Sequence, residues 1–245
     1  PLRARISGVD TPFPRAKAAL FLAGLAVAYL AVGSPLDQLG EDYLFSAHMV
    51  QHMLLIYAAP PLLIAGLPGW LADWLLRPPW AQRLWRVFTH PVFAGALLTL
   101  CYTAWHYPAL YELGLRVKLW HVTEHWMMFA PAVLMWWPIL SPSRRVPPIG
   151  YGARMLYVFI LMIVQFPVFG FITFSGEVLY PTYFYAPRIV PGLDALQDQV
   201  LGGIIMKVWN MAVSLTILGI SFYQWYRASE ARAEAQTSQL RRKAP

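Results

Sequence analysis

The 245-residue chain is 58% hydrophobic and only 13% charged, with a mean hydropathy of +0.47 and 11 Trp, 13 Tyr and 13 Phe. A soluble domain carries roughly twice that charge, about 25%, so the composition excludes an ordinary water-soluble globule and makes the bilayer the solvent. The net charge of +7 calls for no nucleic-acid partner, because basic residues retained on one membrane face beside anionic lipid account for it.

Long apolar runs without period-two alternation satisfy their backbone hydrogen bonds only as helices. The predicted fold is therefore all-α, a polytopic membrane helical bundle. The chain opens at Pro1 without the charged start, short apolar core and small-residue cleavage site of a secretory signal peptide. A span needs roughly 20 mostly apolar residues, and six stretches qualify: Ala18 to Val32, Tyr43 to Leu67, Pro91 to Leu110, Val117 to Leu140, Met155 to Phe174 and Val200 to Tyr226. Proline pairs and glycines mark most exits, as at Leu67-Pro68-Gly69 and Pro147-Pro148. Between spans two and three, Trp70 to Thr89 sets Arg77, Arg83 and Arg86 among four tryptophans, the pattern of an interfacial amphipathic helix pair broken at Pro78-Pro79. Residues 1–226 form one transmembrane domain, and the charge-mixed tail of residues 227–245 is expected to be disordered.

Lys and Arg remain on the cytoplasmic side of short connections. Arg3, Arg5, Arg15 and Lys17 precede span one, Arg77, Arg83 and Arg86 follow span two, and Arg144, Arg145 and Arg154 separate spans four and five. The tail begins at Arg227. These segments are predicted cytoplasmic, with both termini inside. The connections with Asp37, Glu41 and Asp42, with Glu112, Arg116 and Lys118, and with Glu177, Arg188, Asp194 and Asp198 then face outward by alternation, the second of them having no acidic bias of its own.

This orientation aligns the histidines. Span two opens with His48 and His52, span three closes with His106, and span four opens with His121 and His125. At about 1.5 Å per residue, all five fall within roughly 5 to 15 Å of the outer boundary. Only His90 lies at the inner face. Each i, i+4 pair projects from one helix face. One intramembrane histidine is readily explained by a hydrogen bond to a neighbouring helix. Five from three helices at one depth point to a metal or haem site.

Imidazole suits copper, zinc and iron, and thioether or thiolate adds a preference for Cu(I). Met49 and Met53 repeat the histidine spacing one position on, Met206 enters with span six, and Cys101 precedes His106 by a turn and a half. Packing explains most of these sulfurs as well as ligation does, and the mixture leans to copper. Glu124 stands beside His125. Lys207 is intramembrane and is read as an ion pair with Glu124 or as a side chain reaching for the surface. Asp198 and Gln199, at the outer mouth of span six, either meet an incoming cation or cap the helix start.

His48 through Met53, Trp105-His106-Tyr107-Pro108, His121 through His125 followed by Trp136-Trp137-Pro138, and Asp198-Gln199 followed by Gly202-Gly203 and Met206 occur in an order that resembles the CtaG-type (Bacillus-type) bacterial cytochrome c oxidase assembly factors. The resemblance covers Tyr43 to about Tyr226. It implies a multi-pass protein of the bacterial inner membrane that is not an enzyme and helps mature a haem-copper respiratory oxidase by delivering copper. It further implies His48, His52, His106, His121 and His125 as ligands, with oxidase subunits and an extracytoplasmic copper chaperone as partners. Lys207 departs from the apolar or aromatic residue expected there.

Three other readings remain. His121-x-x-Glu124-His125 matches a zinc-protease pattern, though no soluble catalytic domain surrounds it. The same histidines could bind haem in an electron-transfer protein. A copper transporter would need polar residues continuing inward, and the inner halves of spans two, four and six are apolar.

Overall fold

The computed structural model describes residues 14–243, and side chains as far as 239. Arg3 and Arg5, used above for orientation, lie outside the described residues. Among the described residues thirteen α-helices follow one another and no strand occurs. They are α1 (Arg15–Val32), α2 (Pro35–Asp42), α3 (Phe45–Met53), α4 (Ala59–Gly66), α5 (Gly69–Leu75), α6 (Pro79–Phe88), α7 (Pro91–Trp105), α8 (Pro108–Arg116), α9 (Lys118–Leu140), α10 (Tyr151–Val164), α11 (Phe166–Thr173), α12 (Pro181–Tyr185) and α13 (Ala195–Lys243). A π-helical turn, Leu54–Ala58, joins α3 to α4.

Among the described residues four stretches are long and apolar enough to cross a membrane: Arg15–Asp42, Phe45–Gly66, Tyr151–Thr173 and Ala195–Gln239. The pair α6 and α7, bent by 59°, makes a fifth if it counts as one span. The chain is thus a helical membrane protein. Helix α9, counted as a span in the sequence, has the length at 23 residues. Lys118, His121, Glu124, His125, Pro131 and Pro138 keep its apolarity lower than that of the four.

Two boundaries differ from expectation. The third apolar run stops as a helix at Trp105 and restarts as α8 at Pro108, because the residue before a proline is driven out of the α region. Tyr107 accordingly takes ψ 127°. The segment from Arg227, expected to be disordered, continues α13 as helix to Lys243, consistent with its Ala, Glu, Arg and Gln, all good helix formers. The helix pair expected between spans two and three breaks at its prolines, α5 ending before Pro78 and α6 starting at Pro79.

Prolines also explain the irregularities in the bundle. Pro60 has no N–H for the Ile56 carbonyl, and its ring crowds that carbonyl. The backbone widens into the π turn there, and the Trp136 indole N–H donates to Ile56 O at 2.7 Å. Pro167 likewise breaks the fifth run at Gln165, between α10 and α11. The two irregular points are tied together: Tyr57 O–H donates to Gln165 Oε1 at 2.6 Å, and Asn210 Nδ2 on α13 donates to both, at 2.6 and 3.0 Å.

Helix α13 packs on α3, α10 and α11, while α9 packs on α7, α8 and α4. The α3–α13 contact is close because residue 202 is glycine. A Cβ there would run into the Phe45 ring and lie 3.1 Å from Met49 Cγ. Gly202→Val is expected to push α13 off the histidine helix and cost about 1–3 kcal/mol by overpacking. Thermal unfolding in detergent checks this, and an unchanged midpoint would disprove the tight contact.

Candidate metal centre

The predicted level of histidines is one contiguous cluster in three dimensions. His48 and His52 pack with ring centroids 4.4 Å apart, His121 and His125 at 4.2 Å. His125 lies 5.9 Å from His48 and 6.0 Å from His52, His48 lies 5.6 Å from His121, and His106 lies 5.5 Å from His52. All five are buried, whereas His90 is exposed at the start of α7.

The elements that hold these rings are themselves fixed by polar contacts. Helix α3 is capped from across the bundle: Asp198 on α13 accepts from Phe45 N at 2.7 Å and Ser46 N at 3.2 Å. Asp198 was expected at the mouth of its own helix. That start is instead closed by Asp194 and Gln197, each accepting from the other's backbone N–H at 2.8 and 3.0 Å. Gln199 accepts from Leu179 N at 2.7 Å and donates to the carbonyls of Ile172 and Glu177. Tyr180 O–H donates to His106 O at 2.9 Å, and Tyr183 O–H to Gly40 O at 2.6 Å. The short helices α2, α8 and α12 thus lie over the histidine end of the bundle.

His48, His52 and His125 each offer one nitrogen within 4.8 Å of the other two. At metal–imidazole distances of about 2.0–2.1 Å, such a triangle closes on one ion with small ring rotations. His48 Nε2 and His52 Nε2 lie only 2.9 Å apart, so the two atoms either share a proton or turn both lone pairs toward a common cation. Glu124 Oε1 sits 3.4 and 3.3 Å from these two atoms, near enough for charge to act but out of line for a hydrogen bond. Both Glu124 oxygens lack a hydrogen-bond partner, as do His125 Nε2 and His106 Nε2. His106 pairs its Nδ1 with the Tyr102 carbonyl at 2.6 Å. The carbonyl can only accept, so Nδ1 carries the proton and the free Nε2 keeps its lone pair. A buried set of imidazole lone pairs beside an unpaired carboxylate fits a soft or borderline metal cation.

A second donor group adjoins the first. Asp37, His121 and His125 also bring one ligand atom each within 4.8 Å, and Glu41 Oε1 lies 2.8 Å from His121 Nε2. Sequence reasoning placed Asp37 and Glu41 only as outer-face charges. The available signal was their i, i+4 spacing just after Ser34-Pro35, a helix-start pattern that turns both carboxylates to one side.

Met49, Met53 and Met206 are buried in the apolar core. Cys101 is buried within α7 and belongs to neither donor group among the described residues. Lys207 does not pair with Glu124; its Nζ stands 5.1 Å from the Phe166 ring centre, a cation–π contact.

The fold and this site define a helical membrane protein with a buried polyhistidine donor group. The chain belongs to the cytochrome c oxidase caa3 assembly factor family (Caa3_CtaG), which it matches over residues 1–228. It is also similar to uncharacterized proteins of Mycobacterium bovis and Mycobacterium tuberculosis, at 26% identity over 235 residues in each case. The match covers 88% of this chain and 35% of each relative, so the chain spans about a third of their length. No solved structure matches it significantly.

Proposed function

We propose that this assembly factor binds copper as Cu(I) on His48, His52 and His125 and hands it to a haem-copper oxidase during maturation. The observation that carries the reading is the buried triangle of imidazole nitrogens with one unpaired carboxylate against it. Neutral imidazoles and one ionised Glu124 leave a charge of −1, which a monovalent cation cancels. Charge left uncancelled in an apolar interior is costly. His106 borders the group beside His52, and His121 borders it beside His125. Adjacent rings pack at 4.2 to 6.0 Å with no porphyrin-sized slot among them, which favours a single ion over haem.

In this reading the chain crosses the bacterial inner membrane six times with both termini cytoplasmic, which puts the histidine end on the outer side. An extracytoplasmic chaperone supplies copper there and oxidase subunits receive it, so the chain acts as a carrier without catalysing a reaction.

The double variant His48→Ala with His52→Ala tests the assignment. Purified with Cu(I) under reductant, so that no Cu2+ forms, it is expected to fall from about one copper per chain to below about 0.1 by elemental analysis, because two of three donors are lost. Copper content equal to that of the wild type would overturn the reading.

A further inference from the structure

We propose that Asp37, Glu41, His121 and His125 form a second metal site, for a divalent cation such as Cu2+ or Zn2+, with Lys118 as its displaceable counter-cation. The inference goes beyond the copper reading and meets it only at His125.

The acidic side of this site is built into the fold. Helix α2 is held down by Gln51, whose Nε2 donates to Asp37 Oδ1 at 2.9 Å and to Ala31 O at 2.8 Å. Gly40 lets α2 lie against α3 closely enough that a Cβ there would come within 3.0 Å of the His48 backbone. These contacts aim Asp37 and Glu41 at His121, whose Nε2 lies 3.4 Å from Asp37 Oδ1 and 2.8 Å from Glu41 Oε1. His125, 7% exposed, has Nε2 without a partner. The cluster therefore contains a buried, unused donor as well as carboxylates.

The ion at this position now is an ammonium. Lys118 Nζ lies 3.3 Å from Asp37 Oδ2 and 2.5 Å from Glu41 Oε1, and its side chain is 63% exposed, against 18% and 21% for the two acids. An exposed lysine loses little on swinging back into water. Two carboxylates carry −2. With Lys118 withdrawn, a divalent cation neutralises them, and two oxygens with two imidazoles suit Cu2+ or Zn2+. The inner triangle, with its single carboxylate, is matched to a monovalent ion instead.

Access differs too. Asp37, Lys118, His121 and His125 line a cleft of about 390 Å3 between α1 and α9, together with apolar residues such as Leu25, Leu55 and Trp126. Asp37, Glu41 and Lys118 are open to the surface, whereas His48 and His52 are 0% exposed.

The test uses the full chain in detergent with His48→Ala and His52→Ala, titrated with Zn2+ or Cu2+. This variant is expected to retain one divalent ion, with Cu2+ electron paramagnetic resonance showing coupling to two nitrogens. Adding Asp37→Asn and Glu41→Gln, which keep an oxygen at each position and the Gln51 contact, should weaken binding at least about 10-fold. Lys118→Gln should instead tighten it about 5-fold by removing the competing charge. Circular dichroism confirms that each variant is folded. Loss of all divalent binding in the His48/His52 variant, or binding indifferent to Asp37 and Glu41, would overturn the second site and leave the copper reading standing. A wild type that takes up no Cu(I) while the carboxylate-dependent site persists would do the reverse.

Discussion

Glu124→Gln should weaken Cu(I) binding by about 10- to 100-fold, the range seen when a charged group supporting a metal site is removed, while leaving the helices in place. Glu124 is 0% exposed, and its two oxygens have no hydrogen-bond donor. Imidazoles 3.3 and 3.4 Å away that keep their lone pairs for a metal bring no charge to offset a buried carboxylate, and a cation between them does. Glutamine has the same shape but no charge, and its amide N–H groups compete for the lone pairs a metal needs. Space for anything larger is absent, because Gly114 on α8 faces this side chain so closely that a Cβ there would fall 2.7 Å from Oε2. Competition with a colorimetric Cu(I) chelator reads the effect. Wild-type affinity in Glu124→Gln would remove the carboxylate from the site and, with it, the charge argument for a monovalent ion.

The sequence made the histidines legible because they are helical. Spacing of i, i+4 fixes two rings on one face, and the direction of each run fixes depth, so His48, His52, His106, His121 and His125 could be placed at one level without coordinates. Glu124 was legible by the same helical spacing, three residues after His121 and so on its face. Asp37 and Glu41 were read as solvent-facing charges because nothing local shows that α2 folds back over the bundle. That placement depends on Gln51 and Gly40, contacts distant in sequence. For Lys207 one of the two readings, the pair with Glu124, does not form: its depth matched the cluster, but depth does not fix the direction around the helix axis, and Nζ stands over the Phe166 ring. The end of the third run at Trp105 was readable from Pro108 by the rule for residues preceding proline, and hydrophobicity alone concealed it.

Asp198→Ala is the second large effect, and it separates scaffold from ligand. Its carboxylate accepts from two backbone N–H groups in the first turn of α3, three and two residues before His48. It also places negative charge at the positive end of the helix that carries both inner histidines. Removing it orphans two buried donors, each costing about 1–3 kcal/mol, a total expected to lower the apparent melting temperature by roughly 5–15 °C. Asp198→Asn keeps one carbonyl acceptor and should fall between. Because Phe45, the first residue so capped, also packs against Gly202, the alanine variant is expected to lose copper together with thermal stability. Glu124→Gln should instead lose copper with the melting temperature held. A variant lacking Asp198 that melts like wild type would show that α3 does not depend on α13 for its start. If it melts low but binds copper normally, the inner site is assembled by α3 and α9 alone.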